Sequence, residues 1–78
     1  MLNAREKLEK QTRLSIIAKI LTIIDNDIDE YEYLANEYLK FDMPVGMRYR
    51  EIADILREYK AEAKRDFDLI NEEVYGNK

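Results

Sequence analysis

The strongest constraint in this chain is a series of residues whose spacing never loses step. Leu14, Ile17, Leu21, Ile24, Ile28, Tyr31, Ala35 and Tyr38 follow one another at alternating intervals of three and four. Such a repeat puts one apolar stripe along a single helical face and selects near-parallel or antiparallel packing against another helix. Strand alternation has period two and does not fit it. A second, less strict series, Ile52, Leu56, Tyr59, Ala63, Phe67, Ile70 and Val74, predicts a partner helix downstream.

Between the two series stands the one concentration of strong breakers, Asp42-Met43-Pro44-Val45-Gly46. Proline drives the residue before it out of the helical region, and glycine permits positive φ. The predicted fold is therefore all-α. It is a long antiparallel helical hairpin, with a helix over about residues 3–41, a turn at 42–46 and a helix over about 47–75. The chain is expected to form a single helical domain over residues 1–78, closed by Gly76-Asn77-Lys78 as a C-terminal cap and tail.

Asp25-Asn26-Asp27 is the weak point of the first helix, because these residues disfavour helix interiors and favour N-caps. A break near 25–27 would give a three-helix bundle as the alternative. The seam crosses the triplet without a phase shift, so one helix, kinked at most near residue 26, is the favoured reading.

The width of the apolar surface adds a further expectation. Eight of the eleven residues from Leu14 to Ile24 are apolar, and Ile16, Ile20 and Ile23 form a second stripe beside the first. One partner helix cannot cover both. A 78-residue domain commonly needs reinforcement, and this one has neither cysteine for disulfides nor histidine for a structural zinc site. Association of two hairpins into a homodimeric four-helix bundle is the remaining route. The expected helix-packing and dimer core is Leu14, Ile16, Ile17, Ile20, Leu21, Ile23, Ile24, Ile28, Ile52, Leu56, Tyr59, Phe67 and Ile70.

Charge alternates in blocks around a net −4. Residues 1–24 carry five bases against two acids, and residues 25–43 carry seven acids against Lys40. Residues 44–65 carry six bases against four acids, and residues 66–78 carry four acids against Lys78. In a hairpin the acidic stretch 25–43 lies along the stretch containing Arg48, Arg57, Lys60 and Lys64. Exposed pairs of this kind contribute only ~0.2–1 kcal/mol each, so their expected role is register and orientation. The N-terminal residues hold no apolar run of signal-peptide type, and the longest apolar stretch is far shorter than the roughly 20 residues a membrane span needs. A soluble, cytoplasmic protein without a membrane partner is expected.

Few residues offer chemistry. Asp25-Asn26-Asp27-Ile28-Asp29 begins like a calcium loop, but Glu30 stands where that loop needs glycine and Asn36 where it needs a bidentate glutamate. A di-iron bundle site needs histidine. Ser15, Thr12 and Thr22 lie in no glycine-rich turn, and Gly46 and Gly76 stand apart, so no phosphate-cradling loop exists. No enzyme activity, cofactor or metal is expected.

Two surfaces remain as candidates. Arg50, Arg57 and Lys64 recur every seven residues, with Lys60 beside them, and could track a nucleic-acid backbone. In the same region Tyr49-Arg50-Glu51-Ile52-Ala53-Asp54-Ile55-Leu56 resembles the first helix of the helix-turn-helix in sigma-factor-like DNA-binding domains. That resemblance implies a glycine-containing turn next. Arg57-Glu58-Tyr59-Lys60-Ala61 follows instead. The other surface is an acidic patch around an off-seam tyrosine: Asp29, Glu30, Glu32, Tyr33 and Glu37. Tyrosine is enriched at protein contact hot spots. The expected function is a small protein-protein interaction module, a regulator or adaptor acting on another protein. Small accessory proteins of viruses and plasmids share this profile. A nucleic-acid-binding regulator is the alternative.

Overall fold

The computed structural model describes residues 2–76, so Asn77 and Lys78 of the expected tail lie outside the described residues. Two helices pack antiparallel: α1, Ala4–Tyr38, and α2, Met43–Tyr75. The molecule measures 57 × 17 × 13 Å, its length being that of one helix. A 35-residue helix at 1.5 Å per residue is about 52 Å long.

Local chemistry sets each helix start. Asn3 and Glu6 form a reciprocal capping box, the Asn3 side chain accepting from the Glu6 N–H at 2.8 Å and Glu6 accepting from the Asn3 N–H at 3.1 Å. Asp42 caps α2 by accepting from the Val45 N–H at 3.3 Å. At the far end, the Gly76 N–H donates to the Glu72 carbonyl at 2.9 Å with φ −69°, so this cap is extended, not left-handed.

The hairpin turn is Leu39 to Asp42, earlier than the expected 42–46. Pro44 and Gly46, read from sequence as turn residues, lie inside the first turns of α2. The first N–H groups of a helix have no intrahelical partner, so proline there loses no hydrogen bond and its fixed φ suits the helix. The Phe41 and Asp42 N–H groups both donate to the Tyr38 carbonyl, at 3.1 and 2.6 Å, which closes the end of α1.

Helix α1 runs through Asp25-Asn26-Asp27 without interruption, which removes the three-helix alternative. Helix α2 likewise runs through Arg57 to Ala61, so the helix-turn-helix resemblance has no turn behind it.

The seam of α1 is inward: Leu14, Ile28 and Ala35 are buried, and Ile17, Leu21, Ile24, Tyr31 and Tyr38 half-buried. Facing them, α2 shows a stricter repeat than its apolar residues suggested. Tyr49, Ala53, Leu56, Lys60, Ala63, Phe67, Ile70 and Val74 are all buried or half-buried, again at intervals of four and three. Tyr59, expected on this seam, is 57% exposed, and its neighbour Lys60 takes the place. Ala35 and Ala53, at 2% and 1% exposure, mark a close approach of the helices. Beside them Tyr49 bridges Tyr31 and Tyr38, with ring centroids 5.9 and 5.4 Å apart, and Phe41 stacks on Tyr38 at 5.0 Å. These tilted arrangements are favourable for aromatic rings.

Gly46 fixes how tightly the hairpin closes. A Cβ there would lie 2.6 Å from the Leu39 backbone nitrogen and 2.9 Å from its Cα. Gly46→Ala is therefore expected to lower stability by about 1–2 kcal/mol, although alanine gains about 1 kcal/mol of helix propensity. Urea denaturation followed by circular dichroism measures this. A more stable variant would show that the turn opens freely.

Candidate interaction surface

The two lateral sides of the hairpin differ in chemistry. On an α-helix, residues within about 60° of one another in phase share a side. Asp25, Asp29, Glu32 and Asn36 of α1 share one with Arg50, Asp54, Arg57 and Lys64 of α2. Shallow grooves lined in part by these residues run along it. Here the Lys60 ammonium lies 2.6 Å from an Asp25 carboxylate oxygen. Arg57 pairs with Glu32 across the helices and with Asp54 at 2.8 Å on its own helix. Nearer the termini, Lys10 pairs with Glu73 at 2.9 Å. The complementary charge blocks thus meet across the hairpin. All three cross-helix pairs are partly exposed and worth little individually.

Of the basic stripe read from the sequence, Arg57 and Lys60 are engaged by carboxylates of α1, while Arg50 and Lys64 make no ion pair among the described residues. Lys60 is half-buried, its stem on the seam and its ammonium at the edge, as long cationic side chains commonly arrange themselves.

The expected acidic patch is divided: Glu30, Tyr33 and Glu37 lie toward the outer face of α1, while Asp29 and Glu32 line the polar lateral side. Tyr33 is 64% exposed. One helical turn on either side of it stand Asp29, Glu30, Asn36 and Glu37. Glu37 pairs with Lys40 at 3.2 Å, and Glu32 is committed to Arg57. Asp29 and Glu30 make no ion pair among the described residues. No group of acidic side chains able to hold a metal ion occurs among the described residues.

The opposite lateral side is apolar. Ile16, Ile20 and Ile23 of α1 remain 53%, 43% and 58% exposed. On the same side of α2 stand Ile55 and Tyr59, also exposed. Both series follow helical spacing, offset from the seam by about one quarter turn. The signal for this surface was present in the sequence as the second isoleucine stripe of α1. Ile55 gives no separate signal in the sequence, because a seam phased on Tyr59 in place of Lys60 does not mark its side as uncovered. A further exposed apolar cluster, Phe41, Met43 and Met47, surrounds the turn.

No helix among the described residues is long and apolar enough to cross a membrane. Comparison with protein-family models, with curated proteins and with solved structures finds no match to this chain.

The position of Lys60 generates a test. Lys60→Met should keep stability within about 0.5 kcal/mol of the parent, because the stem is retained and Asp25 is left in water. Lys60→Asp should cost more than about 1 kcal/mol, since it places an acid on the seam opposite Asp25. Equal stability of the two variants, measured by thermal melting, would remove Lys60 from the seam.

Proposed function

We propose that this hairpin is a small non-enzymatic protein-protein interaction module, a regulator or adaptor that pairs with a second copy as a homodimeric four-helix bundle and acts by binding another protein. One observation carries the reading: the apolar side bearing Ile16, Ile20, Ile23, Ile55 and Tyr59 stays exposed among the described residues. Contiguous exposed apolar surface of this kind marks contact sites.

The size of the uncovered surface supports it. The chain exposes 6095 Å². A compact monomer of its mass exposes about 5,000 Å², and a standard interface covers about 800 Å² per partner. The excess is comparable to one such footprint. Covering the apolar side leaves the acidic face around Tyr33 in solvent, where it can meet a further protein with basic character. The engagement of Arg57 and Lys60 by Glu32 and Asp25 favours protein over nucleic acid as partner, because half of the basic stripe is already neutralised.

Light scattering on purified protein should give twice the mass of the chain at tens of micromolar. Ile16→Glu with Ile20→Glu should give a folded, helical monomer. A folded dimer in that double variant would overturn this surface as the contact. Salt-sensitive nucleic-acid binding, abolished by changing Arg50, Arg57 and Lys64 together to glutamine, would favour the alternative.

A further inference from the structure

Beyond the existence of a dimer, the arrangement of charges on α1 specifies how two hairpins would meet. Arg13, Ile16, Ile20, Ile23 and Asp27 form a second seam of their own, at intervals of three, four, three and four. It is symmetric: Arg13 and Asp27 stand seven residues before and after Ile20, about 10 Å to either side along the axis. The two charges are opposite. Neither makes an ion pair within the chain among the described residues, whereas Asp25, Glu32, Arg57 and Lys60 are matched across it.

We infer that a second copy of this chain lies antiparallel along α1, the two α1 helices crossing at Ile20 on the dyad, so that each Arg13 faces the partner's Asp27. This rests on the homodimer reading above. In such an isologous contact any pair across the axis occurs twice. Ile16 and Ile23 exchange places across Ile20 and bury the isoleucine stripe on itself. The two turns then lie at opposite ends of the assembly.

The alternative, with both turns at one end, is opposed by charge. The Asp25–Lys60 pair sets the axial level of the two helices. At that level Glu62 of α2, on the same side of the molecule, lies beside Ile23. With both turns together, α1 would rest on the partner's α2. Ile23 would then meet the Glu62 carboxylate. The antiparallel arrangement replaces this contact with isoleucine against isoleucine and adds arginine against aspartate. A carboxylate covered by isoleucine without a partner disfavours the other arrangement.

The test is charge exchange with a cross-linking control, read by sedimentation equilibrium and circular dichroism. Arg13→Glu and Asp27→Lys should each weaken the dimer about tenfold, two contacts being lost per dimer, and the combined variant should recover most of that loss. The chain contains no cysteine, so Ile20→Cys introduces a single thiol. A short thiol-thiol cross-linker should join Ile20→Cys to itself and leave Leu8→Cys, off the seam, unjoined. If charge exchange fails to recover affinity and Ile20→Cys does not link in a protein that is still dimeric, the antiparallel register is wrong and the homodimer stands. A parent protein that remains monomeric at hundreds of micromolar overturns both.

Discussion

Everything in this molecule depends on one helix-helix seam. Two helices have a single mutual interface, so the core is a line, not a volume, and among the described residues five hydrophobic side chains are buried along it: Leu14, Ile28, Ala35, Ala53 and Ile70. The small pair Ala35 and Ala53 brings the backbones close near the turn. The aromatic group of Tyr31, Tyr38, Phe41 and Tyr49 packs beside them toward the turn. Gly46 lets α2 start against the last turn of α1. Where the seam is occupied by Lys60, the ammonium escapes to Asp25 and the stem stays behind, so one residue serves both the packing and the charge register.

This geometry separates two kinds of surface. A helix with a narrow apolar stripe would be satisfied by one neighbour. Helix α1 has a broad one between Leu14 and Ile24, and the hairpin uses only part of it. The polar flank closes with cross-helix ion pairs, and the apolar flank stays open. Ion pairing on one side and isoleucine on the other make the two flanks of the hairpin chemically distinct. Arg57 and Lys60, two of the four cations in the stripe read from the sequence, already have partners on α1.

The seam of α1 was fully legible in the sequence, since eight successive positions kept heptad phase through the Asp25-Asn26-Asp27 triplet. Intrinsic propensity argued for a break there, and packing of one continuous stripe overrode it. The turn falls earlier than the sequence suggests, because Pro44 and Gly46 act here as helix-start residues and not as breakers. Asp42 as N-cap with proline in the following turn is equally a helix start, and that signal was available. The phase of α2 was misread at one residue, Tyr59 over Lys60. Hydropathy ranks tyrosine above lysine, whereas position in the repeat ranks them the other way, and a lysine at the edge of a thin core can satisfy both its stem and its charge.

The sequence by itself determined that this chain is helical, that it folds back once, and that its apolar residues exceed what one contact can cover. Those properties are set by spacing and composition along the chain, which are local. Only the tertiary structure decided which charges are spent within the hairpin, that Ile16, Ile20 and Ile23 stay in solvent, and that Ile55 and Tyr59 stand on their side of the molecule. Those depend on the rotation of each helix about its axis and on the axial level at which the two meet, and neither exists until the helices have packed.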